Sequence, residues 1–329
     1  MDTALRLEGP LDILVIEGLT LPEATPDLLA DIEAAAPAGS VVHVAGGMKD
    51  AAAFAPSAHV ILGIVNDRLF ASTERLKWVH AIASGVDMFM FEDFIESDIV
   101  LTGEKGLVGG HLADTGFGLL LSLTRQIHPA IALGADGWNN RTRLRAKQIE
   151  LEGRTMGIVG YGGTGRAMAA RAKGFGMAIL AIDEFPPDDD PTVWPSSRLD
   201  DLLAGSDVVA VCCPLSDKTR LMFDRTAFAK MRAGSYIVNV TRGEVIENAA
   251  LVAALQSGHL GGAALDVVEG EPLDASHPLF HLENVAMTPH TAGGSSQRAK
   301  RNVDRFVRNL TATQTGAPLE GVVDKRLGY

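Results

Sequence analysis

The chain has 329 residues, 47% hydrophobic and 21% charged, enough apolar material for about two domains of ordinary size. Lys and Arg number 29 against 41 Asp and Glu, so the net charge of −12 supplies no general basic field for nucleic acid or an anionic membrane, and any anionic ligand must be captured locally. The only cysteines, Cys212 and Cys213, offer neither metal-ligand spacing nor a disulfide framework, no apolar run spans a bilayer, and residues 1–10 lack the basic start of a secretory signal. The expectation is a soluble cytoplasmic protein with no metal site, its cysteines acting as small buried hydrophobes.

Short β-branched runs alternate with longer Ala- and Leu-rich stretches, the pattern of an α/β protein whose parallel sheets are covered on both faces. Strands are predicted at 13–16, 41–44, 60–65, 78–82 and 99–102, with helices such as 27–36 between them. Residues 113–131 keep apolar residues at helical spacing and lead into the polar, Arg-rich stretch 137–147, which marks a domain crossing. Six further strands are predicted at 155–159, 178–182, 207–212, 236–240, 263–267 and 285–287, a doubly wound sheet. The acidic run 188–190 reads as a surface loop. An amphipathic helix at 295–313 is expected to return to the first domain, and 316–329 has no regular pattern. The predicted division is therefore 1–108 with 294–329 as the substrate domain, and 109–293 as the dinucleotide domain.

Gly160, Gly162 and Gly165 give G-x-G-x-x-G where strand 155–159 meets the helix 166–173, with Gly163 and Thr164 completing the turn. The glycines permit a tight turn, close backbone approach to a pyrophosphate, and helix–strand packing. Asp183 ends the next strand about 20 residues on, where an acid binds ribose hydroxyls. Glu184 follows it, so a 2′-phosphate would meet two carboxylates and no arginine. NAD is favoured over NADP.

Ligands of open α/β sheets sit beyond the carboxyl ends of the strands, and three residues there stand out: Arg242, Glu271 and His290. Reduction of a 2-keto acid asks for a cation on the substrate carboxylate, a proton donor to the nascent alkoxide, and a partner that keeps the donor charged. Singly, each has a plain alternative, as a surface pair, a loop carboxylate or one of nine histidines. Together, with a glycine fingerprint upstream, they point to a dehydrogenase.

With ASGVD at 83–87, GYGGTG at 160–165, CCPLSDKT at 212–219, NVTRGE at 239–244, LDVVEGEP at 265–272 and TPHTAGG at 288–294, the chain resembles the D-isomer-specific 2-hydroxyacid dehydrogenase family over nearly its whole length. The resemblance implies a Rossmann NAD-binding domain plus a smaller flavodoxin-like parallel α/β substrate domain. It implies Arg242, Glu271 and His290 as the catalytic set, and amides around Ser84, Gly85 and Val86, with Arg242, for the substrate carboxylate. Cys213, Pro214, Thr219, Thr241, Asp266 and Gly293 would then lie along the cofactor. A homodimer built around 113–131 and a small 2-keto or 2-hydroxy acid, glyoxylate or hydroxypyruvate, are further implications.

Two departures stand against that pattern: Gly163 replaces a large polar or basic side chain, and Ala113-Asp114-Thr115 replaces Ala-Glu-His. Within the same superfamily a formate dehydrogenase would carry Gln in place of Glu271. A phosphoglycerate-dehydrogenase-like enzyme and an NAD(H)-sensing, corepressor-like binding protein are the alternatives. Arg141 corresponds to a region that reaches the partner subunit in some relatives, against the plainer expectation of a solvated polar loop.

Overall fold

The computed structural model describes residues 4–188 and 190–329; residues 1–3 of the N-terminal stretch and Asp189 of the acidic run lie outside the described residues. The chain divides into two units, Met1–Val108 with Gly294–Tyr329, and Gly109–Gly293.

In the first unit β1 (Asp12–Ile16), β2 (Val41–Ala45), β3 (Val60–Leu62), β4 (Trp78–His80) and β5 (Val100–Thr102) run parallel in the order β2-β1-β3-β4-β5. This is the flavodoxin-like order. β3 and β4 are buried at every position because helices cover both faces. The helix Arg298–Thr315 turns Val303, Phe306 and Leu310 inward at spacings of three and four and stacks Phe306 on Trp78, ring centroids 4.8 Å apart. Residues 316–329 form no helix, yet they are anchored, with Val323 N donating to Leu101 O at 2.9 Å and Lys325 Nζ to Phe94 O at 2.9 Å.

Around the same helix lies a cluster of buried polar groups. Arg298 meets Glu104 through two nitrogens, Nε to Oε1 at 2.9 Å and Nη2 to Oε2 at 2.5 Å. Arg305 Nη1 donates to Gly103 O at 2.9 Å and Lys105 O at 2.7 Å. The Thr102 hydroxyl accepts from Trp78 Nε1 at 2.8 Å and therefore gives its own proton to His80 Nδ1 at 2.7 Å. Burial, then the Arg305 charge, pushes the His80 pKa down to about 3, so this imidazole is neutral.

The second unit holds seven parallel strands: β6 (Thr155–Val159), β7 (Ala178–Asp183), β8 (Val193–Pro195), β9 (Val208–Val211), β10 (Tyr236–Asn239), β11 (Gly262–Leu265) and β12 (Val285–Met287). Their order, β12-β11-β10-β9-β6-β7-β8, is the doubly wound dinucleotide-binding order extended by one strand, with its switch point between β6 and β9. Six strands were expected; the seventh, β8, is a short edge strand in which Pro195 breaks the apolar signal. The predicted segment 113–131 is two helices, Gly109–Thr124 and Ile127–Leu133, broken at Gln126 with φ 55°. The first buries Ala113, Phe117, Leu120 and Leu123 within its own unit, and the second buries nothing.

Several strands end before their apolar runs do. Val65, Ala81, Ile82, Val240 and Val267 are buried but lie past the ends of their strands, because an apolar run reports burial and not ladder hydrogen bonding.

Candidate active site

β6 ends at Val159 and the chain turns at Gly160 with φ 94°, where any Cβ would strike the backbone of Cys212 and Cys213 beyond β9. The helix Gly163–Gly174 begins at once, and its first-turn amides at Gly163, Thr164 and Gly165 have no carbonyl inside the helix to bond. Nothing occupies the space a side chain would fill at Gly162, so the backbone there is open to approach. Asp183 Oδ2 accepts from Tyr161 N at 2.6 Å, which ties the end of β7 to the glycine turn. An open backbone cradle, a helix N-terminus and an acid at the next strand end together fit the pyrophosphate and adenosine ribose of a dinucleotide.

Cys213 lies under this turn. Its thiol is buried and pushed up to about 12, and burial raises that of Cys212 as well, so what these residues contribute here is backbone and packing. The following loop is closed by Thr219, whose hydroxyl donates to Pro214 O at 2.7 Å and accepts from Ser216 N at 2.8 Å. Lys218 in that loop reaches Glu184 at 2.5 Å, and Ser196 Oγ donates to the same carboxylate at 2.8 Å. The two carboxylates expected without an arginine thus have a lysine beside the second of them.

Arg242, Glu271 and His290 follow β10, β11 and β12, three consecutive neighbours of one sheet, so their loops share one edge. His290 Nδ1 lies 2.9 Å from Glu271 Oε2, and the other oxygen of Glu271 accepts from Val268 N at 3.1 Å. The side chains are 50% and 32% exposed, so the pair adds little stability and serves mainly to orient the ring. His290 has φ 53°, a left-handed conformation that a non-glycine residue adopts only when its surroundings hold it there.

Asp266 supplies that hold. Its buried carboxylate accepts from Thr288 Oγ1 at 2.6 Å, Thr291 N at 2.9 Å and Ala292 N at 2.9 Å, while its carbonyl accepts from His290 N at 2.8 Å. Asp266, expected along the cofactor, also holds the histidine loop. Asn239, fully buried, does the same for Arg242: its amide donates to Arg242 O at 2.8 Å and accepts from Thr241 N at 3.1 Å and Thr241 Oγ1 at 3.2 Å. The guanidinium turns back to Thr241 O at 2.8 Å. Gly243 presses on Val268 and Glu269, where a Cβ would overlap the backbone, and Asn248 holds the same segment through Glu269 O at 2.8 Å. Asn239, Gly243 and Asn248 were missed as site residues; only the polar and glycine positions inside NVTRGE hinted at the first two.

Ser84, Gly85 and Val86 follow β4 in the first unit, Ser84 exposed and Val86 buried. Gly293 ends the second unit, and Arg141 is exposed at the start of the short helix Arg141–Ala146. Among the described residues no group of three or more His, Cys, Asp or Glu side chains is placed to hold a metal, and no helix is long and apolar enough to cross a membrane.

Residues 117–292 match the family described as D-isomer specific 2-hydroxyacid dehydrogenase, NAD binding domain. The chain is 33% identical over 259 residues to the glyoxylate reductase of Korarchaeum cryptofilum, covering 77% of each chain. It is 35% identical over 243 residues to the (S)-sulfolactate dehydrogenase of Chromohalobacter salexigens, covering 72% of this chain and 77% of the relative. Among solved structures, a D-isomer specific 2-hydroxyacid dehydrogenase from Xanthobacter autotrophicus in complex with NADPH and MES superposes with a TM-score of 0.76 at 27% identity, over 97% of this chain and all of that one.

Proposed function

We propose that this chain, which belongs to the D-isomer specific 2-hydroxyacid dehydrogenase family, is an oxidoreductase that interconverts a small 2-keto acid, glyoxylate or hydroxypyruvate, and its D-2-hydroxy acid with NAD, using His290 as acid and base. The observation that carries the reading is the contact of His290 Nδ1 with Glu271 Oε2 at 2.9 Å, on the sheet edge that also carries Arg242.

When bound, the nicotinamide supplies or accepts the hydride at the substrate C2. Arg242 holds the substrate carboxylate, helped by the amides of Ser84, Gly85 and Val86. With Nδ1 engaged by Glu271, the His290 ring presents Nε2 to the substrate oxygen, giving a proton in reduction and removing one in oxidation. Glu271 fixes the ring's tautomer and orientation. Asp266 and Asn239 hold the two loops so that acid and cation need not reorganise during the reaction. Gly160, Gly162, Gly163, Thr164 and Gly165 receive the pyrophosphate, and Asp183 the adenosine ribose.

Asp183 and Glu184 support NAD over NADP, although the Xanthobacter relative was solved with NADPH. The reading includes a cytoplasmic homodimer, supported by the exposed apolar side chains Ile127, Ile131 and Trp138 just past the helix Gly109–Thr124. Its size would be read by analytical ultracentrifugation.

The test is NADH oxidation by the purified chain with glyoxylate, hydroxypyruvate, pyruvate and phenylpyruvate, repeated with NADPH, together with NAD reduction on (S)-sulfolactate. Fast NADH-linked turnover on glyoxylate or hydroxypyruvate that is lost in His290→Ala is expected. NADH binding without turnover on any substrate would sink the reading.

A further inference from the structure

The loop after β4 is anchored from behind. Among the described residues the amides of Ser84, Gly85 and Val86 donate to no protein acceptor, which leaves them open to an anion but gives the loop no hydrogen bonds of its own on that side. What fixes it is the one-turn 3₁₀ helix Asp87–Phe89 that follows, where Phe89 N donates to Val86 O at 2.9 Å and the Phe89 ring is fully buried. Phe89 packs against Phe94 of the helix Glu92–Glu96, ring centroids 6.1 Å apart, and Val86, Phe89, Phe94 and Val323 share one buried cluster.

Lys325 locks this arrangement from a distant part of the sequence. Its Nζ donates to Phe94 O at 2.9 Å, Ser97 O at 2.5 Å and Ser97 Oγ at 3.2 Å, and lies 5.2 Å from the centroid of the Phe94 ring. The ammonium thus meets the carbonyls at the C-terminal end of a short helix and the ring against which Phe89 packs. The lysine is itself held: Val323 N donates to Leu101 O at 2.9 Å, and Asp324 Oδ1 accepts from Arg326 N at 2.9 Å and Leu327 N at 3.1 Å, closing a turn around it. From the ammonium to the loop the path runs through Phe94, Phe89 and Val86, each step a hydrogen bond or a ring contact. We propose that Lys325 is a positioning residue for substrate binding: by capping the helix Glu92–Glu96 and seating on Phe94 it fixes the Ser84–Val86 amides, and so sets the affinity for the keto acid without touching it. This rests on the reading in which those amides hold the substrate carboxylate. A carboxylate that does not react is bound equally in the ground and transition states, so a loop that drifts raises KM and leaves kcat in place.

The experiment is steady-state, NADH-linked reduction of whichever of glyoxylate, hydroxypyruvate, pyruvate and phenylpyruvate the wild type turns over, on wild type, Lys325→Met, Lys325→Ala and Gln314→Ala. Folding is checked by circular dichroism and NADH affinity by fluorescence titration. Lys325→Met keeps the apolar stem and removes the three hydrogen bonds, whereas Gln314→Ala removes a hydrogen bond to Ala35 O at 2.6 Å elsewhere in the same unit. Both Lys325 variants should raise KM for the keto acid about tenfold, with kcat and NADH affinity held within about twofold, and Gln314→Ala should change none of these. An unchanged KM in folded Lys325→Met, a loss carried by kcat instead, or an equal rise in KM in Gln314→Ala overturns the proposal and leaves the dehydrogenase reading intact. Failure of both Lys325 variants to fold does the same, because the lysine is then a general scaffold residue. NADH binding by the wild type without turnover on any substrate overturns both.

Discussion

Each unit contains a carboxylate paired with a basic side chain, and the two pairs sit in opposite surroundings. In the first unit Glu104 and Arg298 have side chains 0% and 15% exposed and meet through two nitrogens; in the second, Glu271 and His290 are 32% and 50% exposed and meet through one. A buried guanidinium clamped on a carboxylate keeps its charge at every working pH and cannot give a proton away. A half-open imidazole leaning on a carboxylate can. Solvent access and a spare ring nitrogen suit the Glu271–His290 pair to the proton transfer proposed for it, whereas ion-pair distance by itself does not separate the two pairs.

That contrast can be broken at several points. Replacing His290 with Ala should lower kcat for reduction by about 10³–10⁴-fold with the fold unchanged by circular dichroism; a loss under tenfold would remove it from proton transfer. Glu104→Ala should do the reverse, costing about 4 kcal/mol of stability in urea unfolding, because the buried Arg298 guanidinium loses its bonds to the Glu104 carboxylate, while kcat of the folded protein stays within twofold. A stable but inactive Glu104→Ala would mean that the two pairs are not separate in role.

His80 sharpens the scaffold side. Its folded pKa of about 3 lies below the ordinary value of 6.5, so as pH falls the unfolded chain takes up a proton that the folded chain refuses. Stability should be whole above pH 6.5 and should fall by about 3 kcal/mol by pH 4. Unfolding at pH 7, 5 and 4 should show this slope in wild type and lose it in His80→Gln. The smallest effect is expected at Asp266→Asn, which turns an amide donor toward backbone donors of the 288–292 loop: kcat should fall about 30-fold while NADH affinity changes less than threefold. The opposite split, weakened NADH binding with kcat kept, would assign Asp266 to the cofactor rather than to the histidine loop.

What could be read in the sequence follows from the same physics. β6 and β12 were predicted to the residue because compact apolar runs are bounded by polar turns, and Arg242, Glu271 and His290 were visible because parallel strands deliver consecutive C-terminal ends to one edge. β8 was hidden by Pro195, whereas the break at Gln126 was passed over although Pro129, in the first turn of the following helix, marks it. The partners of Asp266 lie 22 to 26 residues away and Lys218 lies 34 from Glu184, so their side-chain geometry exists only once the sheet has been assembled.

The Glu104–Arg298 pair also carries a consequence for how the protein is made. Its partners are separated by 194 residues, and the whole second unit lies between them. At about 5–20 residues per second, Glu104 is synthesised roughly 10–40 s before Arg298. Through that interval β1 to β5 lack the helix that covers Trp78 and His80, whereas the inserted unit can complete its own sheet. The order of biogenesis is therefore inverted relative to the order of the sequence: the later unit is finished first, and the earlier one is sealed last by the C-terminal helix.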